Sequence, residues 1–362
     1  MVMGGCTKNN EPDPEGDLPE HGGESDPEDD NTQGSEADTL YEPKIIAKNL
    51  EVPWEIAIND DKIYISERGG TIVMIDGEDK TRKKVKLGAK LSDQAEAGLL
   101  GIAMPVDFAK TKTAYAYYSY QQDGAYYQRV VTIEEKNAGW EESSIILDQI
   151  PGGKFHQGGR IKIGPDDKLY VTTGDATKPE DAQDLKSLAG KILRVNLDGS
   201  IPSDNPFGDS PVYSYGHRNA QGLAWEDKGN FYATEHGDNA HDEINRIEAG
   251  KNYGWPVIEG DETANEMESP IVQSGDDTWA PSGMTYLRGQ FFFTSLRGEG
   301  LRRFDPKNEK VDQIIADVGR IRDAHATADG IYIITNNTDG RGEPTEDDDR
   351  LILIPHPKNK LF

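Results

Sequence analysis

A two-strand pattern recurs six times along this chain, and a sequence that repeats one short strand pair at regular intervals has few folds open to it. The unit is a polar or glycine-led loop, a short apolar run, an Asp/Asn/Gly turn, and an apolar–aromatic run that usually ends in Ser or Thr. Trp54-Glu55-Ile56-Ala57-Ile58 leads through Asn59-Asp60-Asp61 to Ile63-Tyr64-Ile65-Ser66. Arg160-Ile161-Lys162-Ile163 leads through Gly164-Pro165-Asp166-Asp167 to Leu169-Tyr170-Val171-Thr172. Gly222-Leu223-Ala224-Trp225 leads to Phe231-Tyr232-Ala233-Thr234, Gly283-Met284-Thr285-Tyr286 to Phe291-Phe292-Phe293-Thr294, and Ala324-His325-Ala326-Thr327 to Ile331-Tyr332-Ile333-Ile334. A more divergent copy runs from Gly98-Leu99-Leu100-Gly101 to Tyr115-Ala116-Tyr117-Tyr118. Alternation at period two marks the runs as strands. Their spacing, roughly 40–60 residues, is that of one four-stranded propeller blade each. The expectation is an all-β, six-bladed β-propeller of four-stranded antiparallel blades over residues 41–362. A pair of all-β sandwiches would use the same strands but would not require so regular a spacing. Short helical insertions are expected around Asp181 to Ala189 and around Asp93 to Ala97.

Residues 1–40 stand apart. From residue 7 onward they are Glu, Asp, Pro, Gly and Asn with almost nothing apolar, a composition that cannot bury enough surface to offset its ordering entropy and reads as a disordered acidic linker. Ahead of it, Met3-Gly4-Gly5-Cys6 resembles the end of a bacterial lipoprotein signal, in which small residues precede a cysteine that becomes lipidated. That likeness implies an extracellular or cell-surface protein held to a membrane through Cys6. As the sole cysteine, Cys6 excludes an internal disulfide. The chain has 362 residues, 66 acidic and 39 basic, for a formal net charge of -27. Such a field repels phosphate backbones, so no nucleic-acid partner is expected. No apolar run is long enough to span a bilayer.

In a propeller the innermost strand of each blade lines a central channel, and the loops ahead of those strands converge over it. The residues so gathered would be Glu96, His156, Arg160, Arg218, Asn219, Arg320 and Arg322, with Arg297 reaching the same rim from behind a second strand. An arginine fork binds carboxylates bidentately, so several at one mouth imply a small polyanion, a tricarboxylate rather than a neutral sugar. In Phe155-His156-Gln157-Gly158-Gly159-Arg160, glycines allow close backbone approach to a flat ligand and the histidine is a proton acceptor near neutral pH.

The motifs Gly98-Leu99-Leu100-Gly101, His156-Gln157-Gly158-Gly159-Arg160, Gly216-His217-Arg218-Asn219-Ala220-Gln221-Gly222, Glu235-His236-Gly237, Asp242-Glu243-Ile244-Asn245, Asn252-Tyr253-Gly254-Trp255-Pro256 and Arg320-Ile321-Arg322-Asp323 occur in that order. Together they resemble the glucose/sorbosone dehydrogenase family of soluble quinoprotein aldose sugar dehydrogenases, from about Val52 to Ile354. The resemblance implies a six-bladed propeller with pyrroloquinoline quinone (PQQ) and calcium at its channel mouth. It implies oxidation of an aldose at its anomeric carbon to the lactone, with His156 taking the hydroxyl proton and hydride passing to the quinone. Arg218 would stabilise negative charge at the reacting quinone carbonyl. Glu96, Asn219, Arg297, Arg320 and Arg322 would also bind cofactor, the last two through its carboxylates. Calcium would take the backbone carbonyls of Gly237 and Asp238, and a second, structural calcium would involve the position of Glu243 and the Tyr253 carbonyl. His217 is expected to pack against or orient Arg218.

Several positions depart from the glucose-specific branch. Phe155 replaces an acidic sugar contact, Ala176 a polar cofactor contact, Asp238 a metal-loop proline and Arg297 a lysine, which points to the broader aldose sugar dehydrogenase branch. The sugar and the electron acceptor stay unnamed. Two other readings fit the fold: a propeller lactonase or hydrolase with a metal-activated water, and a non-catalytic sugar-binding lipoprotein. The arginines speak against the first, and retention of both His156 and Arg218 against the second. His236, Asp238, His241 and Asp242 admit a transition-metal reading that the calcium loop fits better. Gly254-Trp255-Pro256 reads as a packed turn, and Asn336-Asn337-Thr338 fits a glycosylation sequon.

Overall fold

A computed structural model describes residues 42–355. Cys6 and the acidic segment up to residue 40 lie outside the described residues. The fold is all-β: among the described residues there are four sheets of four strands and one of eight, with a single α-turn at Phe108–Thr111 and a 3-10 turn at Pro179–Ala182. The expected helix at Asp181 to Ala189 shrinks to that 3-10 turn. Residues 93–97 form a turn, because Arg68 bonds the carbonyls of Ala95 and Ala97 and holds the segment outside helical geometry.

Each sheet is a meander of neighbouring strands. The eight-stranded sheet consists of two antiparallel four-strand runs, Pro53–Asn59 to Asp79–Lys86 and Leu99–Ala103 to Gly139–Pro151. They are joined edge to edge only where Val85 and Lys86 pair in parallel with Trp140 and Glu141. Three further sheets begin at Ile161–Ile163, Ala220–Trp225 and Pro281–Leu287. The last begins at Ile321–Thr327, and its outer strand is Lys44–Ala47, from the start of the described chain, paired antiparallel with Leu351–Pro355. The two ends of the described chain are thus joined in one sheet.

Middle strands such as Lys168–Thr173 bury both faces, because a neighbouring sheet covers each side. Apolar clusters fill these interfaces. One packs Tyr170 and Ile192 against Leu223 and Phe231, the next packs Ala224 and Tyr232 against Met284 and Phe293, and another packs Ile56 and Ile65 against Ile334 and Leu351. Each fully buried Ile, Leu or Phe contributes about 1.5–3 kcal/mol. Outer strands such as Asp79–Lys86 face water and carry charge instead. First strands pack on one another about a common axis: Pro53–Asn59 on Leu99–Ala103 and Ile321–Thr327, Leu99–Ala103 on Ile161–Ile163, and Pro281–Leu287 on Ala220–Trp225 and Ile321–Thr327. The loops at one end of that axis form the site.

Candidate active site

A cavity of about 360 Å³ opens at this end. It is lined by six arginines (Arg68, Arg218, Arg297, Arg320, Arg322 and Arg341) together with His156, His236, Asn219 and Gln221, and by two carboxylates, Glu96 and Asp339. The sequence-predicted His156, Arg218, Asn219, Glu96, Arg297, Arg320 and Arg322 all meet here.

His156 sits in the left-handed region, φ 58°, which costs a non-glycine residue about 1–3 kcal/mol. Two contacts hold it there. Its N–H donates to Glu96 Oε2 at 3.0 Å, and its Nδ1 lies 2.7 Å from Asp175 Oδ1. Asp175 is fully buried and accepts from the Trp255 indole at 2.9 Å, so it offers His156 an acceptor and fixes the proton on Nδ1. Nε2 is left as the basic nitrogen. Gly158, φ 63°, brings its N–H to 3.0 Å from Asn219 Oδ1; a Cβ there would stand 2.5 Å from the Thr172 carbonyl oxygen.

Glu96 lines the same cavity and also braces its wall. Its second oxygen accepts from Arg341 at 2.9 Å, so both oxygens are committed to holding the wall around His156. Burial pushes its carboxyl up, but Arg341 and the His156 N–H pull it below the usual range.

The arginines differ in their partners. Arg320 pairs with Asp339 at 3.1 Å and donates to the Leu296 and Asn336 carbonyls. Arg218 pairs with the half-exposed Asp238 at 3.0 Å, lies over the Trp255 ring, and keeps its buried Nε without a partner. Glu235 accepts the backbone N–H groups of Arg218 and Asn219 and bonds His217 Nδ1 at 2.8 Å. His217 is fully buried against Tyr253 and so supports Arg218 through Glu235. Arg297 is exposed at the rim. Arg322 is 6% exposed and bonds only neutral oxygens: Gln221 Oε1 and Asn336 Oδ1, both at 3.0 Å. No carboxylate among the described residues pairs with it. Burial pushes its pKa down to about 9, leaving it charged at neutral pH.

Arg160 does not reach the mouth. It lies below it, fully buried, under the Trp54 ring at 4.3 Å, with Nη1 3.1 Å from both Glu55 and Asp323. The side chain runs down the axis because its Nε donates to the Gln221 carbonyl at 2.7 Å.

Gly237, Glu243 and Tyr253 line a second cavity of about 10 Å³ with Glu235. Burial beside Glu235 raises the Glu243 carboxyl to about 8, and Asn245 Oδ1, adjacent, is buried with no partner. Asp238 turns its carbonyl and carboxylate toward Arg218. His241 bonds Gln273, and Asp242 caps the N–H groups of Trp279 and Ala280, so the residues of the transition-metal reading face different ways. Asn336 is fully buried, which takes the sequon out of reach.

Two lining residues, Arg68 and His236, and two that stand behind the lining, Asp175 and Asn336, share a signal: each follows a second strand by one or two residues, the position that suggested Arg297. Arg341, Asp339 and Gln221, which also line the mouth, lack it. Burial holds His236 neutral, its pKa pushed down to about 4, with Nε2 unpartnered beside the mouth.

A family model described as Glucose / Sorbosone dehydrogenase matches residues 50–351. The chain belongs to the glucose/sorbosone dehydrogenase family. A solved structure of the PQQ-bound form of aldose sugar dehydrogenase from Streptomyces coelicolor superposes with a TM-score of 0.80 at 36% identity, over 86% of this chain and 96% of that one. Quinoprotein glucose dehydrogenase B of Acinetobacter calcoaceticus is 34% identical over 254 residues, 61% of this chain and 53% of that protein. Aldose sugar dehydrogenase YliI of Escherichia coli is 28% identical over 341 residues, 82% of this chain and 90% of that protein. In this member of the glucose/sorbosone dehydrogenase family, the arginine-lined mouth and the His156–Asp175 pair lie at the same end of the fold.

Proposed function

We propose that this protein is a PQQ-dependent aldose sugar dehydrogenase that oxidises the anomeric carbon to the lactone. The observation that carries the reading is Arg322, a buried guanidinium with no counter-ion. Leaving a charge buried and unpaired costs several kcal/mol, about 3–5 where a partner is removed, so the site is built for an anion to complete it. The residues present fit a tricarboxylate. Six mouth arginines face Glu96, Asp339 and Asp238, a difference of three charges. Arg218 Nε and His236 Nε2 add buried, unpartnered nitrogens.

Arg322, Arg320, Arg297 and Asn219 would hold the cofactor, with Arg218 beside the reacting carbonyl. When bound, PQQ supplies the two-electron acceptor for hydride leaving the sugar. The chain's own residues do the rest. His156 Nε2 takes the anomeric hydroxyl proton, Asp175 stabilises the resulting imidazolium through Nδ1, and Arg218 offsets negative charge that develops opposite. Calcium fits the same reading. The carbonyls of Gly237 and Asp238 would serve a cofactor-side ion, the latter on release of its 3.4 Å contact with Arg218 Nη2. The Glu243 carboxyl, the Tyr253 carbonyl and unpartnered Asn245 Oδ1 would serve a second, since hard oxygen donors suit calcium. We read the eight-stranded sheet as two blades, which makes the domain six-bladed.

The test is direct: apo protein reconstituted with PQQ and Ca²⁺ should reduce an artificial acceptor dye when given aldoses. No dye reduction with any aldose would overturn the reading.

A further inference from the structure

We propose that Gln221 and Asn336 are positioning residues that hold Arg322 by neutral amide oxygens, keeping its charge available to an anionic ligand at the expense of the empty protein's stability. This rests on the anionic-cofactor reading above.

Gln221 is the second residue of Ala220–Trp225, Asn336 follows Gly330–Thr335, and Arg322 is the second residue of Ile321–Thr327. Three separate loops and strands therefore meet at one guanidinium. Gln221 Oε1 accepts Arg322 Nη1 at 3.0 Å and is itself fixed by Ser282 Oγ at 3.2 Å. Asn336 Oδ1 accepts Arg322 Nε at 3.0 Å, while its own Nδ2 is buried without a partner. Gln221 is 6% exposed and Asn336 fully buried, so water does not substitute for these contacts. An amide oxygen orients a guanidinium about as well as a carboxylate oxygen does, but it leaves the charge in place. The unpartnered Nδ2 of Asn336 sharpens the point. Aspartate there would exchange an unsatisfied donor for an acceptor and neutralise Arg322. Asparagine leaves the charge of Arg322 unneutralised and its own Nδ2 unpaired.

The experiment compares Asn336→Asp and Gln221→Glu with wild type, reading apo melting temperature and PQQ affinity, the latter by fluorescence titration with Ca²⁺ present. Both variants should melt higher than wild type when empty, by about 2 °C or more, and bind PQQ at least about tenfold more weakly. A purely structural role for the amides would move both readouts downward together. Lower melting, failure to fold in both variants, or unchanged affinity would each overturn the proposal. If wild type itself binds no PQQ, the functional reading falls, while the apo melting comparison still decides whether the amides leave Arg322 uncompensated.

Discussion

Arg160 and Arg322 are both buried near the axis of the molecule, and they solve opposite problems. Arg160 lies between Glu55 and Asp323, each 3.1 Å from its Nη1, and bridges first strands that are far apart in sequence. Arg322, nearer the mouth, touches only amide oxygens. One guanidinium has its charge paired within the protein, although its Nη1 and Nη2 make no hydrogen bonds, and it holds strands together. The other is left for something else to complete. The difference shows that an arginine's role is read from its counter-ion rather than its burial.

The largest effect that would break this contrast is on folding. Arg160→Met strands Glu55 and Asp323 in the interior and should cost about 3–5 kcal/mol of stability in a denaturant titration, whereas Arg322→Met should leave the apo protein as stable or more so. Equal losses would erase the distinction. Within the mouth, His156→Ala should lower kcat by about 10²–10⁴-fold while PQQ binding survives. Asp175→Asn should lower kcat by about 10²-fold or more by favouring the wrong His156 tautomer. Parallel loss of cofactor affinity in either variant would contradict the assignment of these two residues to the substrate side. The smallest effect concerns Glu243, the anionic counterpart of Arg322. Its carboxyl is raised from 4.5 to about 8, so the folded protein binds more protons than the unfolded chain across that window. Its contribution to stability therefore declines as pH rises from about 5 to about 8, and saturating Ca²⁺ should flatten that decline in melting scans. A Ca²⁺-insensitive profile would remove the second calcium.

Much of the fold was legible in the sequence because first and second strands are apolar and separated by Asp/Gly turns, as at Ile161–Ile163 and Lys168–Thr173. The outer strands were not. Asp79–Lys86 is charged and solvent-facing, and Lys44–Ala47 pairs with Leu351–Pro355 across nearly the whole chain, beyond any local signal. Four of the six mouth arginines, Arg218, Arg297, Arg320 and Arg322, were legible from their place beside the strands, and Arg68 and Arg341 were not. Arg160 was misplaced for the same reason: adjacency to a strand does not say whether a side chain turns up toward the mouth or down the axis. Asp175, His236 and Arg68 lay one or two residues past second strands, a register that Arg297 already exemplified. Gln221 stands within a motif whose sequence gives it no evident chemistry; its role follows only from its contact with Arg322.

The most direct test of the central claim is a titration of PQQ, with Ca²⁺, into apo wild type and apo Arg322→Met. The account predicts saturable binding to wild type and affinity weaker by about 10²-fold in the variant, in line with loss of a buried charge-assisted contact worth about 2–5 kcal/mol. No binding to wild type, or equal affinity in the two proteins, would contradict it.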